Sequence, residues 1–226
     1  MLVYYYMQTE GYNQQGDKIN FLKNNLENKH LKISRLKALN DIFEFLSHDQ
    51  SNPSIRNQFK DAISAKRKTQ GFISFSRSWR SPVMWGHYGH SNQGACLGFE
   101  IEDKRLSRIN YITERMTASK NELLSLNIAS NFLDVLLSTK FADWSYEKEM
   151  RLPVGLDSHE GESNEPAFAP FDEIGILKKI FVGAFSSTSR SQLDEWVNGY
   201  PHPVEMLKTR AAFQTFEICS DKRGLN

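Results

Sequence analysis

The segment KFADWSYEKEMRLPV, residues 140–154, places two carboxylates and a guanidinium at every second position: Glu147, Glu149 and Arg151. Read as an extended strand, whose side chains alternate between faces, it puts those three together. Tyr146, Met150, Leu152 and Val154 then share the opposite face, with Lys148 an oddity among them. The carboxylates would lie about 6.5–7 Å apart. Such a pair could bind ribose hydroxyls and stabilise a cationic, sugar-like transition state, because a fixed carboxylate favours an oxocarbenium ion electrostatically. Trp144 and Tyr146 stand just before it, where an aromatic platform would hold a base or a nicotinamide ring. A strand face exchanging ion pairs with Lys140 and Arg151 explains the same letters, and on the pattern alone that plainer reading wins.

A second chemical segment is MWGHYGHSNQGACLGFE, residues 84–100. Trp85 and Tyr88 fall three apart on a helix, as do Met84 and His87, and a glycine-flanked turn leads on into a strand. Trp, His and Tyr together can wall a pocket with hydrogen-bonding tips. For Trp85 simple core packing is preferred; for His87 and Tyr88, whose polar tips need partners, both readings stand. His87 and His90 could meet one ion, but spacing marks no third ligand and no H-E-x-x-H occurs, so no metal site is assigned. There is no G-x-S-x-G elbow or phosphate-binding loop. Cys96 and Cys219 sit in apolar, strand-like runs and read as reduced structural thiols.

The chain of 226 residues is long enough for one good core, and a single domain over 1–226 is expected. With 39% hydrophobic and 24% charged residues it has the composition of an ordinary water-soluble globular protein. A net charge of +1 gives no bulk electrostatic case for nucleic acid. The basic run AKRKTQ (65–70) reads as the solvated end of a helix. No run approaches the roughly 20 apolar residues of a membrane helix, and the start lacks a secretory pattern, so a cytoplasmic protein without membrane association is expected.

The elements that must position these residues follow from periodicity and punctuation. LVYYYM (2–7), LKIS (31–34), GFISFS (71–76, alternating), ACLGFEI (95–101), MRLPV (150–154), ILKKIFVGAF (176–185), VEMLKT and FQTFEIC read as strands. RINYI (108–112) reads as the hairpin partner of 95–101. INFLKNNLEN (19–28), the run from Ile55 to Lys68, and SSTSRSQLDEWVNGY (186–200) read as helices, and LNDIFEFL (39–46) as a turn into a short one. Ser81 as cap with Pro82 behind it predicts a helix start. Residues 119–142 predict the longest helix. Stretches 47–54 and 157–166 are expected as loops, the second acidic and mobile. Without a βαβ rhythm the class is α+β: mixed twisted sheets, split-barrel-like, with flanking helices.

Taken in order, LKISRLKALNDIFEFL, GFISFSRSWRSPVMWGHYGHSNQGACLGFE and KFADWSYEKEMRLPV resemble the bacterial family "domain of unknown function 2971". The resemblance rests on an F-S strand, a Met-Trp-x-x-Tyr helix and a Trp-x-Tyr-Glu-x-Glu-x-Arg block. It also takes in an Asn-Asp turn at Asn40 and Asp41, where Ile42 replaces the usual proline. The block order resembles, more weakly, an ADP-ribosyltransferase-like fold. That resemblance implies Glu149 as catalytic carboxylate, Glu147 orienting an acceptor, Ser34 as the second element, and Tyr5 or Tyr6 in place of the usual basic residue. Asn40, Asp41, Lys140 and Trp85 would support the site, and Arg151 or Lys140 would offset its negative charge. It further implies NAD as substrate, no tightly bound cofactor, an acceptor that is protein or nucleic acid, and a role in toxin or phage-defence biology. A non-catalytic binding module, in which the same residues form a structural polar network, is the alternative; a metal-dependent hydrolase or nuclease using His87 and His90 is a third.

Overall fold

The structure, a computed structural model, describes residues 1–12, 16–36, 41–117, 130–156 and 166–225. The expected loop over 157–165, the first part of the expected 119–142 helix and Asn40 lie outside the described residues. The chain divides into two compact units. One holds Met1–Leu31, Phe75–Arg105 and Phe168–Asn226; the other holds Lys32–Ser74 and Leu106–Ala167. Gln70–Ser76 is a strand that begins in the second and ends in the first. The α+β expectation holds: helices stand beside open sheets of mixed pairing, and none closes into a barrel among the described residues. No described helix is long and apolar enough to cross a membrane.

In the first unit the aromatic strand Leu2–Met7 lies antiparallel to Ala95–Glu100, in register from Leu2 opposite Glu100 to Met7 opposite Ala95. Ile176–Val182 flanks the other side of Ala95–Glu100, and Glu205–Ala211 runs parallel to Ile176–Val182, with Ile180 opposite Met206. A parallel neighbour needs a crossover, which helix Arg190–Trp196 supplies. Ser189 and Gln192 close a reciprocal capping box at its start. Val3, Leu97, Phe99, Leu177, Ile180 and Phe181 are almost wholly removed from water, as apolar strands buried on both faces should be. Ser81 caps helix Pro82–His87 by accepting the Met84 N–H, as the sequence predicts.

Gly94, in this unit, has no room for a side chain. A Cβ on Gly94 would land on the backbone carbonyls of Met7 and Gly89, and Gly94 also bonds Gly89 O and the Gly183 N–H. Gly94→Ala is expected to cost about 1–3 kcal/mol, since backbone and not a flexible side chain must give. Urea unfolding monitored by tryptophan fluorescence measures it.

The second unit is built on helix Pro53–Thr69, the strands Ser34–Arg35, Gln70–Ser76 and Glu149–Gly155, and a parallel pair, Asn110–Ile112 with Thr139–Phe141. Its core is Leu36, Phe45, Phe59, Ile63, Phe72 and Leu136. Phe59 and Ile63 stand four apart on the buried face of the helix, while Arg67 and Lys68 lie exposed in its last turn, so the basic run is a solvated helix end.

Several expected elements differ here. Residues 42–45 form turns and no helix. The helix that was to reach 142 ends at Leu137, and Thr139–Phe141 is a strand. Residues 108–112 are no hairpin partner of 95–100: Arg108 pairs with Met150, and Asn110–Ile112 pairs with Thr139–Phe141. GFISFS is buried on both faces at Phe72 and Ile73, so strict alternation does not describe it.

Candidate functional site

The 140–154 segment is not one strand. Thr139–Phe141 is extended, Ala142–Glu147 coils into a 3-10 helix, and Glu149–Gly155 is extended again. Between the last two, Lys148 adopts a left-handed conformation, φ 48° and ψ 44°, uncommon for a residue with a side chain. Glu147 therefore ends a helical turn and Glu149 opens a strand, and both carboxylates reach the ammonium of Lys140 from different elements. Met150 and Leu152 are buried on one face of the strand; Glu149 and Arg151 are buried on the other. The charged face is neither solvated nor open.

What covers it is a closed network in the second unit. Arg151 donates from Nε to Glu149 Oε1 at 2.8 Å and from Nη2 to Glu149 Oε2 at 3.1 Å, a two-pronged grip on one carboxylate. Its Nη2 also donates to Glu44 Oε1 at 2.6 Å, and Nη1 donates to the Leu137 carbonyl at 2.7 Å. The guanidinium lies over the Phe72 ring, 4.3 Å from its centroid. Lys140 Nζ donates to Glu147 Oε2 at 2.6 Å and stands 3.6 Å from Glu149 and 3.8 Å from Glu44. Ser74 Oγ donates to Glu149 Oε1 at 2.7 Å, and the Tyr111 hydroxyl accepts the Glu149 backbone N–H at 2.8 Å. The side chains of Glu44, Lys140, Glu147, Glu149 and Arg151 are all 4–6% exposed.

Three carboxylates face two cations, so the fully ionised network carries one excess negative charge. Burial alone would raise the Glu149 carboxyl, but Arg151, Lys140 and the Ser74 hydroxyl more than offset it and hold it below its ordinary value. At Glu44 burial wins over the pull of Arg151 and Lys140, and its carboxyl is raised. Burial works against the charged form of Lys140, yet its three carboxylate neighbours raise it on balance; Arg151 is raised in the same way by Glu149 and Glu44. Burial pushes the Tyr111 hydroxyl up to about 12. Between Glu44 and Glu149, Glu44 is therefore the readier to take a proton.

Of the residues singled out in the sequence, Glu147, Glu149, Arg151 and Lys140 come together. Trp144 joins them, its ring centroid 4.8 Å from Lys140 Nζ, and Tyr146 packs on Trp144 at 6.0 Å. Ser34 pairs with Phe72 in the sheet, and the hydroxyl that meets Glu149 is that of Ser74. Asp41, 6% exposed, organises the turn before Glu44 by accepting the Phe43 N–H at 2.8 Å. Tyr5, Trp85, His87 and Tyr88 belong to the other unit. Tyr5 packs edge-on against Phe75 at 6.1 Å, and burial pushes its phenol up to about 12. Trp85 is wholly buried, its indole N–H donating to the Trp79 carbonyl at 2.7 Å, and is core. His87 is exposed and Tyr88 half-buried. Among the described residues no three His, Cys, Asp or Glu side chains converge as metal ligands. Cys96 and Cys219 are free thiols, Cys96 buried and raised by desolvation. The sequence reading missed Glu44, Ser74 and Tyr111.

Beside the network the same unit opens a cleft of about 230 Å³. Phe43, Leu46, Ile112 and Phe141 form its apolar walls, Thr139 and Lys140 line it from the Thr139–Phe141 strand, and Arg115 stands among its outer residues.

No curated protein and no solved structure matches the chain. Residues 84–152, from the Met-Trp helix through Arg151 and Leu152, match the family described as "Protein of unknown function (DUF2971)", the family that the sequence blocks resemble.

Proposed function

We propose that the chain is a ligand-binding module whose Glu-x-Glu-x-Arg block is internal framework, with the neighbouring cleft as its binding site. The observation that carries this reading is the state of Glu149. Both of its oxygens accept hydrogen bonds inside the network, and its side chain is 5% exposed. A carboxylate that is to hold a ribose hydroxyl must offer it an accessible lone pair; here Ser74 and Arg151 occupy three of about four acceptor sites, and burial beside Lys140 closes off the other. The cleft, by contrast, leaves Phe43 and Phe141 49% and 40% exposed.

An NAD-consuming, ADP-ribosyltransferase-like activity, with the toxin or defence role it would suit, is the second reading. What favours it is the Trp144–Tyr146 pair, half-buried beside Lys140 and the two carboxylates, where a nicotinamide ring could lie. One assay separates the two readings. Purified protein is incubated with NAD, alone and with bacterial lysate, and free nicotinamide is measured. The binding-module reading expects none above background. Release that disappears in a folded Glu149→Gln variant overturns it in favour of the NAD-consuming enzyme.

A further inference from the structure

We propose that the cleft binds a small organic monoacid, a single carboxylate on a flat apolar body, gripped through Arg115. The inference rests on the binding-module reading and names the ligand class. Size comes first: about 230 Å³ is below the roughly 300–1,000 Å³ usual for drug-sized ligands, so the occupant is small. The walls then select its body. Phe43, Leu46, Ile112 and Phe141 offer apolar surface, and the two buried hydroxyls at the cleft are already engaged. Thr139 Oγ1 donates to the Val135 carbonyl at 2.7 Å, and Ser47 Oγ lies 3.1 Å from His48 Nδ1. They leave the floor suited to rings and methylenes in place of polar groups.

Charge selects the head group. Lys140 lines the cleft, but its ammonium is held by Glu147 at 2.6 Å inside the network. Arg115 is different. It is exposed, it makes no ion pair with a described residue, and its guanidinium lies 5.5 Å from the Phe43 ring centroid. Asp49 feels its charge, but one oxygen of Asp49 already accepts the Ser51 N–H at 2.8 Å. A guanidinium held against an aromatic wall presents a planar fork that matches a carboxylate. Glu114 lines the same cleft and is exposed beside Arg115, so a second negative charge on the ligand is repelled. That favours a monoanion over a phosphate dianion.

The test uses the full chain with para-fluorobenzoate as probe, followed by fluorine NMR line broadening and by an amide shift map. Para-fluorobenzamide, of the same shape without the charge, is the control, and inorganic phosphate is the competitor. The expected result is broadening of the benzoate that excess phosphate does not reverse, with shifts at Ile112 and Thr139. Benzamide, and benzoate with Arg115→Gln, should each bind at least about tenfold more weakly, the scale of one lost charge-assisted interaction. Arg115 is exposed, so the variant should keep its thermal midpoint. Equal binding of benzoate and benzamide, undiminished binding to Arg115→Gln, displacement by phosphate, shifts confined to other residues, or no binding at all would each overturn the inference. Nicotinamide release is a separate readout. A protein that binds no acid and releases no nicotinamide loses this ligand class and keeps the binding-module reading.

Discussion

Arg151→Met is expected to destabilise the protein by about 3–5 kcal/mol, the scale of breaking a buried ion pair by removing one partner. The reason is what the guanidinium leaves behind. Glu149 loses both of its prongs, Glu44 loses its 2.6 Å donor, and the Leu137 carbonyl loses its partner. Three buried carboxylates would then share Lys140 alone. Methionine can fill the space over Phe72 and Phe45, which isolates the electrostatic loss from a cavity effect. Arg151→Lys should recover only part of the loss, because a point charge cannot grip Glu149 with two prongs and reach Glu44 and Leu137 as well. Urea unfolding of the three proteins at neutral pH measures this. A methionine variant within about 1 kcal/mol of wild type would mean that the carboxylates reach water when their partner is removed, and that the network is not sealed.

How much of this arrangement can be read from the chain depends on the range of the interaction that fixes it. The Ser81–Pro82 helix start and the capped helix after Ser189 are local signals, and each appears where its residues place it. The strands Leu2–Met7 and Ile176–Val182 are dense in β-branched and aromatic residues and form accordingly. The mutual attraction of Lys140, Glu147, Glu149 and Arg151 is likewise legible, since twelve consecutive positions contain all four. Their burial is not. It depends on Glu44, 107 residues from Arg151 in the chain, and on Ser74, 75 residues from Glu149. No periodicity connects a glutamate in a turn to an arginine in a strand so distant. The alternation argument failed at Lys148 for a related reason. A left-handed residue is usually announced by glycine or asparagine, and here a lysine takes that conformation, so the strand is continuous in the letters and interrupted in space. The 108–112 hairpin expectation assumed that a strand pairs with its predecessor. The observed partner, Thr139–Phe141, runs parallel and so must be reached through a long connection.

Two of the carboxylates, Glu149 and Glu44, also make a graded prediction. Glutamine imitates a protonated glutamate, so each substitution measures the cost of adding a proton at that position. Glu149 is held below its ordinary value, so the native state prefers it charged, and Glu149→Gln should cost about 2–3 kcal/mol at neutral pH. An amide there must also turn its NH₂ toward Arg151 Nε or Arg151 Nη2, so one guanidinium N–H loses its acceptor whichever way it faces. Glu44 is raised, so the native state tolerates a proton there. Its glutamine variant keeps an acceptor for Arg151 and removes the excess charge, and should lie within about 1 kcal/mol of wild type. The pH dependence fixes the sign. A carboxylate whose folded pKa is depressed contributes stability that is complete above the unfolded value, near 4.5, and is lost as pH falls through the folded one. The gap between wild type and Glu149→Gln should therefore hold from neutral pH to about pH 5 and close below about pH 4, as wild type takes up the proton that glutamine imitates. Urea midpoints over that range decide it. If Glu44→Gln proves the costlier substitution, Glu149 is the readier of the two to take a proton, and this framework carboxylate becomes the one available for acid–base chemistry.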